Sequence, residues 1–96
     1  MPRVYCVYIA TDATGTVLYT GAACNIHRRM FEHASKAHPS SFTAKYNIDR
    51  LVYVESTRYV YNAIEREKQI KGWTRKKKED LINSINPDWN NLLDYY

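Results

Sequence analysis

Seven consecutive residues, Val4 to Ala10, carry no charge and include no glycine or proline. They sit inside Arg3 to Thr11 (RVYCVYIAT), a segment of β-branched and aromatic residues that predicts a strand apolar on both faces. Such a strand has to lie in the middle of a sheet, with further layers covering both sides. The run is too short to cross a bilayer and leads into Thr11-Asp12 without a small-residue cleavage site, so no signal peptide or membrane partner is expected. With 96 residues and 45% hydrophobic content, the chain is expected to fold as one domain spanning 1–96.

The rest of the chain supplies the layers. Asp12-Ala13-Thr14-Gly15 carries turn chemistry, and Thr16 to Gly21 (TVLYTG) resumes strand character, which places Tyr8 and Tyr19 on adjacent antiparallel strands. From Asn25, a plausible N-cap, the residues Ile26, Met30, Ala34 and Ala37 recur at helical spacing up to Pro39. Asp49 to Glu55 reads as a third strand, Tyr59 to Lys71 as a second helix closed by Gly72, and Thr74 to Asn86 as a third, stopped by Pro87. The order ββαβαα predicts an α+β fold, a small antiparallel sheet flanked by helices.

Three groups of residues could carry chemistry. Glu67 projects into the middle of an apolar helical face made by Val60, Ala63, Ile64 and Ile70. A lone carboxylate buried there must be protonated, paired with a cation or bound to a metal ion, and the competing explanation is a partly exposed or Arg-paired structural acid. Arg29 and His33 are one helical turn apart beside the Ile26–Met30 seam, so a phosphate-gripping guanidinium and a proton-exchanging imidazole can reach one place. The competing explanation is an ordinary amphipathic helix with Arg28, Glu32 and Lys36 as its wet face. Third, Arg66, Lys68, Lys71, Arg75, Lys76, Lys77 and Lys78 supply half of the fourteen Lys and Arg residues and surround Trp73. That pattern suits a nucleic acid backbone, and it also suits a solvated helix face.

Other classes find less support. Two cysteines make no disulfide framework, which fits a reducing, cytoplasmic setting. Cys24-x-x-His27 with His33 matches no common closed zinc site. Neither Ser-His-Asp or Cys-His catalysis nor a glycine-rich phosphate loop has a pattern here.

Taken in order, Cys6-Val7-Tyr8, Tyr19-Thr20-Gly21, Arg29, His33 and Glu67 resemble the GIY-YIG nuclease superfamily. The chain is most similar to its small single-domain bacterial branch, which is like the N-terminal nuclease domain of the excinuclease C subunit. Segments LYTG, RRMFEH, LVYVES, EREKQIKGW and NPDWN carry the likeness along nearly the whole chain. The resemblance implies a three-stranded antiparallel sheet and one divalent cation, Mg²⁺ or Mn²⁺, for endonucleolytic phosphodiester hydrolysis in DNA repair or processing. The same fold could instead serve as a nucleic-acid-binding module without turnover.

Carried over, Tyr8 and Tyr19 match the two motif tyrosines, Arg29 the phosphate-binding arginine, His33 the position held by His or Tyr, and Glu67 the metal-binding glutamate. Asn90 resembles a phosphate-holding asparagine, while Lys71 and Arg75 to Lys78 extend the surface for nucleic acid, DNA before RNA. The implied base is a tyrosine, and Tyr8 is favoured over Tyr19. Cys6 and Thr20 depart from the motif glycine and isoleucine, and Ala22 stands where excinuclease-type members carry lysine. With no specificity domain in the chain, its loops or a protein partner would choose the substrate.

Overall fold

The computed structural model describes residues 4–38 and 40–95. It forms one three-stranded antiparallel sheet of order β2-β1-β3, built from β1 (Tyr5–Thr11), β2 (Leu18–Ala23) and β3 (Arg50–Thr57). Helices α1 (Ile26–Ala34), α2 (Phe42–Lys45), α3 (Val60–Lys71) and α4 (Arg75–Ile85) follow, with a closing 3-10 turn at Leu92–Tyr95. The α+β class, the three-stranded sheet and the ββαβαα order are as expected, with the short α2 and the final turn added. Arg3 and Pro39, assigned from the sequence to the first strand and the first helix's end, lie outside the described residues.

β1 is central and covered on both sides. Cys6, Tyr8 and Ala10 pack with Ile26 and Met30 of α1 and with Ile48, Leu51 and Val54. The intervening Val7 and Ile9 pack with Val52, Tyr53, Ala63, Ile70 and Ile82 on the α3–α4 side. Alternation along β3 is interrupted where Ile9 opposes Tyr53 but Ala10 opposes Leu51. The bulge lets Val52 and Tyr53, though adjacent, both join the α3–α4 cluster, which strict period-two geometry forbids.

Asp12 organises the β1–β2 connection. Its Oδ1 accepts from the Thr16 and Val17 amides at 2.8 and 3.0 Å, and its Oδ2 from the Thr14 hydroxyl at 2.6 Å. These bonds, the Thr14 one foremost, hold its carboxyl well below the usual carboxylate range. Arg75 at the start of α4 donates to the carbonyls of Gly15 and Thr16, tying the same loop to the helical layer.

Two expectations need correction. The first helix ends at Ala34 rather than near Pro39, because Lys36 takes a left-handed φ of 56°. The Ala37 amide bonds the Glu32 carbonyl at 3.1 Å and the Lys36 amide that of His33 at 3.2 Å, the paired pattern that closes a helix at such a residue. The buried seam of α1 is therefore Ile26, Met30 and His33, without Ala34 or Ala37. In α3 only Ala63 and Ile70 are buried, whereas Val60 and Ile64 are 40% and 42% exposed, so the apolar face is narrower than its sequence pattern.

Among the described residues, no helix is long and apolar enough to cross a membrane. Thr20, opposite Ile9, buries its hydroxyl without a hydrogen-bond partner among the described residues. Thr20→Val removes that stranded group at nearly constant shape. It is expected to raise stability by about 1 kcal/mol, read as a higher midpoint in urea unfolding; a lower midpoint would mean that the hydroxyl has a favourable role.

Candidate active site

Tyr8, in the centre of β1, is fully buried, and its side chain runs toward β2 over Gly21, its partner in the ladder. A Cβ on Gly21 would stand 2.5 Å from the Tyr8 phenol oxygen, so glycine is what lets the ring lie there. The phenol meets His33 Nε2 at 3.0 Å, and this bond joins β1 to the last turn of α1. Tyr19 completes the group from β2, two residues before Gly21 on the same face. Its ring is 6.2 Å from that of Tyr8 and edge-on to His33 at 5.5 Å.

Burial and neighbouring charge separate the proton affinities of the Tyr8–His33 pair. Burial above all, then Tyr19 and Glu67, pushes the Tyr8 phenol up, while Arg29 pulls it down. Burial chiefly, with Arg29 second, pushes the His33 imidazole below its ordinary value. At neutral pH the phenol is protonated and the imidazole neutral, an arrangement in which the phenol can donate to Nε2.

In front of this pair lies a cleft of about 290 Å³ lined by Tyr19, Arg29, Glu32, His33, Ser41 and Phe42, among others. The Arg29 side chain is 41% exposed, with Glu32 at 4.0 Å steadying it. A half-exposed guanidinium beside a neutral imidazole and a phenol suits the non-bridging oxygens of a phosphodiester. α2, absent from the sequence-based assignment, supplies Ser41 as its cap and Phe42 as its first residue.

The structure brings together Tyr8, Tyr19, Arg29 and His33, with Glu67 near enough to bear on Tyr8's charge. Of the two expectations for Glu67, the partly exposed, cation-paired acid is the one found, with lysine in place of arginine as the partner. The Glu67 side chain is 24% exposed and accepts from Lys71 at 2.7 Å, one turn along α3. The exposed Val60 and Ile64 leave that flank of α3 open to water, which explains the exposure. Among the described residues, Glu67 belongs to no group of three or more His, Cys, Asp or Glu side chains. A single accessible carboxylate matches the donor set of a hydrated Mg²⁺, which keeps several waters and takes further oxygens from phosphate.

The remaining candidates are placed elsewhere. Asn90 lies beside β3, at the sheet edge remote from β2: its amide and carbonyl bond the Asn86 side chain, which also donates to Val52. In the basic segment, Arg75 pairs with Glu79 and Lys76 with Asp80, besides the Lys71–Glu67 pair. Trp73 receives Lys77 at 4.5 Å and Arg66 at 5.2 Å from its ring centre, so this tryptophan packs against the segment's own cations. No ion pair is formed by Lys77 or Lys78 among the described residues.

Residues 4–80 match the GIY-YIG catalytic domain family. The chain is 40% identical over 78 residues to a UPF0213 protein of Desulfotalea psychrophila, covering 81% of this chain and 70% of that one. It is 34% identical to a UPF0213 protein of Syntrophus aciditrophicus, over 85% and 92% of the two chains. The solution structure of a Bacillus halodurans UPF0213 protein is similar with a TM-score of 0.58 at 27% identity, over 95% of each chain.

Gly21→Ala tests the placement of Tyr8. The methyl group must displace the phenol from His33 or shift β2, at a cost of about 1–3 kcal/mol in urea unfolding. The His33 ring resonances should also lose their low titration midpoint. An unchanged midpoint and unchanged stability would contradict the close approach.

Proposed function

The chain belongs to the GIY-YIG family, among its small UPF0213 members, and from that premise we propose that it is a divalent-metal-dependent endonuclease acting on nucleic acid. The carrying observation is the Tyr8–His33 bond behind a cleft that Arg29 lines, with Glu67 within electrostatic reach. Arg29 holds the scissile phosphate through its non-bridging oxygens, and Tyr19 borders the same cleft. Tyr8 is the base. As it takes a proton from the attacking water, it passes its own to the neutral His33, and Arg29 favours the transient phenolate.

Tyr8 is shielded in the resting fold, so water reaches it only when Tyr19 or Arg29 turns to the phosphate. Glu67 is the residue that would hold Mg²⁺ or Mn²⁺. When bound there, the ion would offset the carboxylate charge that opposes Tyr8 ionisation and stabilise charge growing on the phosphate. Lys71 releases the carboxylate in that state and is free to meet the nucleic acid. Among the described residues Lys77 and Lys78, like Lys68, have no acid to release first, Arg75 and Lys76 follow, and Asn90 acts at the far sheet edge. DNA is the favoured polymer, in a repair or processing role inside the cytoplasm, with specificity from loops or a protein partner.

The Lys71–Glu67 pair favours a second reading. A carboxylate already served by its own ammonium, in a chain with Ala22 in place of lysine, fits a binding module without turnover. It predicts salt-sensitive binding and no cleavage with any metal.

Nicking of single-stranded, branched and damaged substrates decides between the two. The expected result is cleavage that needs Mg²⁺ or Mn²⁺ and drops about a hundredfold or more in Glu67→Ala, equivalent to about 3 kcal/mol or more of transition-state stabilisation. Persistence of cutting in that variant would sink the assignment of Glu67. The rate should also stay level as pH falls through the ordinary His value of about 6.5. It should decline only as the depressed His33 titrates and can no longer accept a proton. That acid limb is expected to vanish in His33→Gln, whatever its residual rate.

A further inference from the structure

A short helix holds two large aromatic rings in the open beside the cleft. Phe42 and Tyr46, 47% and 38% exposed, are one turn apart with ring centres 4.6 Å from each other. Phe42 also stacks on Tyr19 at 6.0 Å with planes 29° apart. The aromatic row therefore runs from buried Tyr8 through His33 and Tyr19 to Phe42 and Tyr46 at the surface. Isolated exposed aromatics are ordinary, but a contiguous row that opens from a polar cleft is a different feature.

Local structure explains why these rings stay outside. Ser41 caps α2 by accepting from the Ala44 amide at 3.3 Å, and Thr43 and Ala44 are the residues that α2 buries. With Thr43 and Ala44 inward, Phe42, Lys45 and Tyr46 are turned to solvent. Asn47, at a φ of 56°, ends the turn and leads the chain into buried Ile48. The Lys45 ammonium stands over the Tyr46 ring, 5.3 Å from its centre, so a positive charge belongs to the same surface. Exposed aromatic rings, one of them under a lysine ammonium that a base can displace toward a phosphate, beside a cleft that Phe42 and Arg29 both line, match a base and the phosphates on either side of it.

We propose that Phe42 and Tyr46 form a stacking platform for an unpaired base next to the phosphate held by Arg29, so that the preferred substrates are single strands or locally unpaired segments. A base inside a duplex already has neighbours on both faces and cannot lie on these rings without leaving the stack. The proposal deepens the nuclease reading and rests on it for the position of the phosphate. It assigns substrate selection to α2, in the connection between α1 and β3.

The test is binding of the full-length chain, with EDTA present so that no strand is cut. Three labelled probes are compared: a short single strand, the same backbone with abasic sites, and a blunt duplex. The base-bearing strand should bind about tenfold or more tightly than the abasic one, the scale of one lost base–aromatic stack. Phe42→Leu with Tyr46→Leu should erase that difference while circular dichroism stays native, and Tyr46→Phe should keep it.

Equal affinity for base-bearing and abasic strands, preferred binding of the duplex, or discrimination surviving in the double variant would each overturn the platform. Base discrimination without cleavage under any metal would support the platform and remove the nuclease reading. Cleavage without base discrimination would do the reverse.

Discussion

Burial of β1 on both faces is the constraint on which the other elements depend. Its alternating side chains divide between two apolar clusters, so α1 must cover one side of the sheet and α3 with α4 the other. The bulge in β3 and the Asp12-centred loop adjust the neighbouring strands to that central register. Because Tyr8 belongs to this strand, the candidate site is anchored in the most completely packed part of the molecule. Its phenol reaches the imidazole of α1 only because Gly21 leaves the space above β2 open. A rigid polar pair inside an apolar layer is preorganised, and Tyr19 and Arg29 supply the groups that meet solvent.

The electrostatics follow from that placement. Desolvation moves the phenol and the imidazole in opposite directions, each toward its neutral form. Arg29 and Glu67 then act on Tyr8 with opposite signs, so compensation of the glutamate charge favours ionisation of the phenol. Elsewhere charge is largely spent on structure. Arg75 ties a loop to a helix, Lys76 answers Asp80, and Arg66 bonds Glu55 at 2.5 Å on its way to Trp73. A net charge of +4 therefore says little about where a polyanion would lie.

Most of the fold was legible because its signals are local. The strand runs, the Asn25 cap, the start of a helix at Thr74, and Gly72 at the end of α3 all announce themselves by residue type and spacing. α2 escaped notice because four residues show too little periodicity, although Ser41 two residues before Thr43 is a usable cap signal. The end of α1 was misplaced because lysine rarely takes the left-handed conformation that stops it at Lys36. In α3, helical periodicity identified the side that turns inward but not how far the sheet extends beneath it. Val60, Ile64 and Glu67 consequently stand at a rim instead of in a core.

By itself the sequence determined the α+β class, the central position of β1, the antiparallel neighbourhood of Tyr8 and Tyr19, and the one-turn spacing of Arg29 and His33. These depend on side-chain period and chain adjacency, which are properties of consecutive residues. Tertiary structure alone decided that Tyr8 crosses Gly21 to His33, that Lys71 serves Glu67, and that Asn90 lies at the opposite sheet edge. It also decided that Phe42 and Tyr46 continue the aromatic row out of the cleft. Those facts depend on distances between segments remote in the chain, and only the packing of two helical layers on one sheet sets such distances.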